Sequence, residues 1–417
     1  MENLLKIIGN TIGGSYEVYI MRILIVWIAR FLGHNGGMEK VSIRFANEMI
    51  ERGHSVALAY CTEHDGKAYT LIDSRVRVVN IAHCLPDGKW ESHKTTSFKI
   101  KREAWRLIGK SFMLDYIRKC EVAYLKPGVQ RLLEDFQPDV VVTLDARTTS
   151  AIKWADSTNR YPVIAMSHFN AENILSDASA FDKKSLRNSD VVQVLMPHDM
   201  KVFERALPGI NLIHIPNIVP QYHVSSMEKR DSCNKIIDIA RLSRRQKRQH
   251  LLIESFAKIA RKYPQWKVEL WGEEQDSNQY TMYLTSLIIK YHLESQVFLR
   301  GNAENVIDIY KKADIFAFPS AFEGFPLAMT ESMSAGLAVI AFQSCPAVNE
   351  LIQSGRNGLL VKDGVKALSE GLEYLMTNRE KRLAFGKQAQ QDMKKYAAKE
   401  IWDQWEKLMI EVVSSHK

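Results

Sequence analysis

Short apolar runs alternate with amphipathic stretches along almost the whole chain, a pattern that predicts parallel sheets covered by helices. Residues 22–29 read as a buried strand. A loop from Arg30 to Gly37 follows, then a helix from Met38 to Arg52, with Met38, Val41, Phe45 and Met49 at helical spacing. Gly53 ends that helix, and Ser55–Tyr60, Val140–Leu144, Val163–Met166 and Val191–Leu195 supply further strands. A second set begins after mid-chain: Lys235–Ala240, Lys267–Trp271, Val297–Leu299, Ile315–Phe318 and Ala338–Phe342. The expected fold class is α/β, with two doubly wound Rossmann-like domains. The break falls near Pro216–Pro220, and a polar, linker-like stretch runs from Gln221 to Asn234. The C-terminal residues form an amphipathic helix carrying Trp402 and Trp405.

Length and composition narrow the class. At 417 residues the chain accommodates two ordinary domains, and 46% hydrophobic with 25% charged residues is a normal globular mix. Five scattered cysteines (61, 84, 120, 233, 345) form no C-x-x-C pair. They fit a reducing cytosol better than a disulfide framework or a zinc site. No apolar run reaches the length of a membrane span, and Leu4–Ile8, interrupted by Lys6, is too short for a secretory signal. Residues 1–20 read as an N-terminal extension without assigned function. Their Gly9–Gly14 stretch lacks the strand and spacing of a dinucleotide fingerprint.

The chemistry concentrates where the strand Asp314–Phe318 is ended by Pro319. A helix follows from Leu327 to Ala335, closed by Gly336 at the position that favours a residue without Cβ. The turn between them holds Glu323, and Glu331 falls in the first helical turn. In a βαβ unit such a turn lies at the carboxyl edge of the sheet, where ligands bind, and the helix start attracts an anion such as phosphate. Two glutamates with seven residues between them are weak by spacing alone, because glutamate is common on helices. Farther back, Arg241 follows a strand and Lys247 precedes a helix over 249–262. Charge alone does not choose among Arg241, Arg244, Arg245, Lys247 and Arg248.

With its flanks, this stretch resembles the family-4 group of retaining glycosyltransferases, which use the GT-B fold. The residues that carry the resemblance are Pro319-Ser320, Glu323-Gly324-Phe325, Glu331 and Gly336-Leu-Ala-Val339-Ile340. Gly36-Gly37-Met38-Glu39, Ile215-Pro216-Asn217, Arg241 with Lys247, and Gly301 ahead of Ala313-Asp314 match in the same order. The resemblance spans residues 21–385. It implies an acceptor-binding domain at 21–218 and a nucleotide-sugar-binding domain at 219–385, facing a central cleft. Helices in 386–417 would cross back to the first domain.

By the same resemblance, Arg241 and Lys247 serve the donor diphosphate, which gains negative charge as the glycosidic bond breaks. Gly36 and Gly37 give close backbone approach to it. Gly324, Phe325 and Leu327 offer backbone contacts, and Glu331 binds the ribose hydroxyls. Glu323 and His168 stand nearest the transferred sugar as the catalytic candidates. Asn217 is a further match and equally a hinge residue. Gly272 matches a family glycine, but Gly272-Glu273-Glu274 lacks the usual second one.

No Asp-x-Asp, H-E-x-x-H or clustered Cys/His occurs, so no metal or other cofactor is expected. The expected donor is a nucleotide-diphosphate sugar, with UDP as the nucleotide. The expected acceptor is a glycan or a polyprenyl-diphosphate-linked chain in bacterial surface-polysaccharide assembly, such as lipopolysaccharide or capsule. A GT-B nucleotide-sugar epimerase and a non-catalytic nucleotide-sugar-binding scaffold are the competing readings.

The net charge of +8 collects between Lys89 and Lys119, where Lys94, Lys99, Lys101, Arg102, Arg106, Lys110 and Arg118 interleave with Trp90, Phe98, Trp105, Leu107, Ile108, Phe112 and Leu114. Such a stretch suits anionic lipid or a lipid-linked diphosphate, and equally a solvated helix face. No nucleic-acid motif accompanies it. The expected location is the cytoplasm, peripheral to the inner face of the membrane.

Overall fold

The computed structural model describes residues 5–11, 14–28, 37–63, 68, 70–85, 88–89, 94–222, 233–274, 278–303 and 305–416. Gly36, Trp90 and most of the Gln221–Asn234 linker lie outside the described residues. The chain divides into two compact units, Met1–Ile215 with Trp402–Lys417, and Pro216–Ile401.

The strands, in chain order, are β1 (Leu5–Thr11), β2 (Gly14–Ile20), β3 (Arg22–Trp27), β4 (Ser55–Tyr60), β5 (Arg77–Asn80), β6 (Val140–Thr143), β7 (Val163–Ser167), β8 (Val191–Val194) and β9 (Leu212–His214). The second unit adds β10 (Lys235–Ile239), β11 (Lys267–Trp271), β12 (Val297–Leu299), β13 (Ile315–Phe318), β14 (Ala338–Phe342) and β15 (Leu359–Val361). The segment before residue 21, left unassigned by its sequence, pairs as an antiparallel hairpin of β1 and β2.

In the first unit seven parallel strands run in the order β5-β4-β3-β6-β7-β8-β9. The central strands are apolar on both faces because helices cover both; Val140, Val141 and Val142 are wholly buried. Pattern reading misses β5 and β9, since they are short edge strands with little buried surface. The helix Gly37–Glu51 buries Ile43, Phe45, Ala46 and Met49.

The C-terminal helix Ala398–Ser415 begins in the second unit's segment and, from Trp402, belongs to the first. Trp402 and Trp405 meet the Phe45 ring edge-on, with centroids 5.4 and 5.0 Å away. Arg52 pairs with Asp403 at 2.9 Å and Glu406 at 2.7 Å. Glu406 also lies 3.2 Å from buried His54, whose pKa burial lowers. Residues 386–401 remain with the second unit. There Gly386 of the helix Arg379–Met393 sits so close to Gly336 that a Cβ would fall 1.9 Å from the Gly336 oxygen.

The second unit's six parallel strands run in the order β12-β11-β10-β13-β14-β15. One face packs Ile236, Val268 and Leu270 against Phe256, Leu284, Leu287 and Leu372. From β10 the chain winds outward through β11 and β12, then returns to β13 on the other side. β10 and β13 therefore flank the point where winding direction reverses, and ligands bind at such a point in open α/β sheets.

Trp405 is 3% exposed and shares Phe45 with Trp402. Trp405→Ala is expected to lower stability by about 3 kcal/mol in denaturant titrations monitored by circular dichroism; a loss under about 1 kcal/mol would contradict this packing account.

Candidate active site

Two loops meet at the switch point of the second unit. The loop after β10 carries Arg241 to Arg248, and the loop after β13 carries Pro319 to Pro326. Gln246 ties them together: its carbonyl accepts from Ala321 N at 2.8 Å, and its side-chain amide donates to the Phe322 carbonyl at 3.2 Å. Arg248 is a second tie. Its backbone is left-handed (φ 52°), and its guanidinium donates to the carbonyls of Pro319 and Ser320, both at 2.9 Å. It also pairs with Asp363 at 3.1 Å and lies over the Phe342 ring.

The five basic residues of this segment now sort themselves. Arg248 is a structural clamp. Arg244 lies 4.7 Å from the Tyr283 ring centroid. Arg245 is exposed. Arg241 is exposed and donates to Gln246 at 3.2 Å. Lys247 reaches inward to Glu323, with Nζ 2.6 Å from Oε1. That pair is largely desolvated, since the Glu323 side chain is 7% exposed and that of Lys247 16%. An ammonium at such a site keeps the carboxylate from being a buried, uncompensated charge.

The remaining candidates on this loop divide by role. Phe325 is buried edge-on against Tyr396. The N–H of Leu327 is engaged by the Phe325 carbonyl at 2.9 Å, whereas Gly324 is part-exposed. The following helix is Leu327–Ser334, so Glu331 is its fifth residue and belongs to the second turn, not the first. The helix starts at Leu327, as the pattern predicts, directly after Pro326, which cannot donate. Glu331 accepts from the Tyr310 hydroxyl at 3.4 Å. Gly336 ends the helix with φ +81°, the conformation the sequence pattern called for.

The second glycine of the family pattern is replaced here by Glu274. Glu274 in its place accepts from the N–H groups of Tyr280 and Thr281, at 2.8 and 3.0 Å, and so caps the helix Gln279–Lys290. Gly272 itself is required. Its φ is +132°, and a Cβ there would lie 2.1 Å from the Ala240 carbonyl oxygen, just ahead of Arg241.

In the first unit, His168 follows β7 and is half-buried; burial pushes its pKa down to about 4, which leaves the imidazole neutral at pH 7. Gly37 opens its helix on the surface, where a Cβ would meet nothing within 4 Å. Packing within this unit therefore does not explain that glycine. Asp145, which sequence reading passed over, follows β6 beside the first unit's own reversal between β3 and β6. It accepts from the Trp27 indole at 3.0 Å and caps the helix Ala146–Ala155.

Residues 224–392 match the family model described as glycosyl transferases group 1, a span that contains both loops. That span takes in most of the second unit. Over 394 residues the chain is 20% identical to an uncharacterized glycosyltransferase of Haemophilus influenzae, covering 91% of this chain and 97% of that one. It is 24% identical over 387 residues to a Campylobacter jejuni alpha-1,4-N-acetyl-D-galactosaminyltransferase, covering 91% and 96%.

Among solved structures, Anabaena HepE with UDP and glucose superposes with TM-score 0.69 at 19% identity, covering 95% of this chain and all (100%) of that one. S. aureus TarM in a complex with UDP gives TM-score 0.70 at 16% identity, covering 94% and 100%. These likenesses show the fold, which is GT-B: two Rossmann-like units built on parallel sheets.

Gly272→Ala is expected to cost about 2–3 kcal/mol of stability through its forbidden backbone conformation and its clash with Ala240. Chemical denaturation of the variant measures this, and a value within error of wild type would refute the argument.

Proposed function

We propose that this glycosyltransferase is a retaining, metal-independent enzyme of the family-4 type. It moves a hexosyl unit from a nucleotide-diphosphate donor, with UDP as the expected nucleotide, to a glycan or polyprenyl-diphosphate-linked acceptor in bacterial surface-polysaccharide assembly. The observation that carries this reading is the Lys247–Glu323 contact of 2.6 Å at the switch point of the unit that matches the family. HepE, crystallised with UDP and glucose, supports the nucleotide. The C. jejuni relative, named for a PP-undecaprenol-linked glycan, supports the acceptor class.

In this reading the bond from the anomeric carbon to the diphosphate breaks, and a bond to the acceptor oxygen forms on the same face. The acceptor's hydroxyl proton passes to an oxygen of the departing diphosphate. Lys247, Arg241 and the N-terminal end of the helix Leu327–Ser334 offset the charge that gathers there, so no divalent cation is required. Gly324 and Phe325 bring backbone to the same group. Glu331 accepts from the ribose diol, and Glu323 holds the sugar hydroxyls beside the reacting carbon. His168, Gly36 and Gly37 are assigned on the family resemblance.

Glu323→Gln and Lys247→Ala should each lower transfer at least about 100-fold, with EDTA leaving the wild-type rate unchanged. A donor panel with acceptor extract measures this. Wild-type rates in both variants would overturn the site assignment, and a change in the donor sugar without any acceptor would mark an epimerase.

We further propose that the basic stretch rests on an anionic lipid surface at the cytoplasmic face. The helix Thr96–Ile108 and the start of Lys110–Phe136 expose Ile100 (66%), Leu107 (87%), Ile108 (63%) and Phe112 (55%) among exposed Lys99, Lys101, Arg106 and Lys110. Apolar side chains flanked by cations match an anionic bilayer in both hydrophobicity and charge. Arg118 leaves this face, because it pairs inward with Asp182 at 2.6 Å and with Glu121. Among the described residues no helix is long and apolar enough to cross a membrane. The protein should float with phosphatidylglycerol vesicles but not with phosphatidylcholine ones, and Leu107→Glu with Arg106→Glu should abolish flotation. Equal behaviour toward the two vesicle types would end the lipid assignment.

A further inference from the structure

β10 carries an acid where its neighbours are apolar. Asp238 lies between Ile237 and Ile239, pairs in register with Leu270, and is 1% exposed. Its Oδ2 has no hydrogen-bond partner. The side chain of Gln249, itself wholly buried, lies beside its carboxyl. Gln249 has further partners, donating to the Arg241 carbonyl at 3.2 Å and accepting from Ser243 N at 3.3 Å. Asp238 therefore sits beside an amide that is fixed to the loop presenting Arg241 and Lys247. A carboxylate with an orphan oxygen in an apolar core is costly, and folds keep such groups mainly where function requires them.

We propose that Asp238 is a positioning residue of the donor site that holds a proton in the donor-ready state, leaving the charge of Lys247 for an incoming diphosphate. This rests on the donor reading above and adds a regulation to it. One ammonium, that of Lys247, stands within electrostatic reach of two carboxyl groups, Asp238 and Glu323. Were both ionised, they would hold Lys247 against a third anion. With Asp238 neutral, the diphosphate competes with Glu323 alone.

The groups around Asp238 favour that state near neutrality. Burial pushes its pKa up to about 7, opposed by Lys247 and by the Gln249 hydrogen bond and reinforced by Glu323. Tyr280 and Tyr310, from the helices Gln279–Lys290 and Val306–Lys311, also sense its charge. Burial raises both phenols, so they stay protonated over the same range. Entry of an anion beside Lys247 weakens the opposing pull on Asp238 and favours its protonated form further.

The test compares wild type with Asp238→Asn, which keeps the shape and fixes the neutral state, using UDP and GDP as probes in calorimetric titrations from pH 6 to 8.5. The terminal phosphate of the probe titrates near pH 6 and acts on both proteins alike, so the ratio of their dissociation constants isolates Asp238. That ratio is expected to rise by roughly fivefold or more with pH as the wild type weakens. A constant ratio overturns the proposal.

A second readout needs no ligand. The folded pKa of Asp238 lies above the unfolded one, so its folded form binds more protons between about pH 4 and 7. The thermal midpoint of wild type should therefore fall relative to Asp238→Asn across that range and level off above it. A gap that ignores pH overturns the proton assignment. If neither nucleotide binds either protein, the donor reading fails together with the positioning role, while the thermal comparison still judges the proton on Asp238.

Discussion

The adjacency of β10 and β13 is the constraint from which the candidate site follows. Parallel pairing of Ile236 with Ile315 and Ile237 with Phe316 brings two loops, about 80 residues apart in sequence, to the same sheet edge. Gln246 and Arg248 then fix one loop to the other through backbone carbonyls. Only with this adjacency in place can Lys247 meet Glu323. The pair needs its cation, since a carboxylate this buried has little water to stabilise it.

A division of labour among like charges follows. Arg248, with its planar fork, satisfies two carbonyls and a carboxylate at once, a task a lysine could not copy. Lys247, a compact charge on a long stem, lies beneath the site beside the Phe318 ring. Arg241 remains at the surface end of its strand. The clamp between the loops and the buried pair with Glu323 thus come from neighbouring residues, and a count of basic residues could not separate them.

The glycines make a parallel point. Gly272 and Gly386 are required by backbone approaches inside the second unit, where a Cβ would overlap a carbonyl oxygen. Gly37 is under no such demand within its own unit. The acid in β10 was visible in the sequence as Asp238 among isoleucines. Its meaning was not, because neither the orphan oxygen nor the Gln249 link has any trace in spacing.

By itself the sequence determined the α/β class, the division near residue 216, most central strands, the Gly336 helix stop and the residue types that an anionic ligand would need. These are local matters, set by apolar periodicity and by backbone conformations that few residues tolerate. The tertiary structure alone decided the short edge strands and the sorting of Arg241, Lys247 and Arg248. It also decided that Trp402 and Trp405 pack on Phe45. Each of these depends on strand order or on a partner far away in the chain, and no pattern confined to a short window of sequence carries that information.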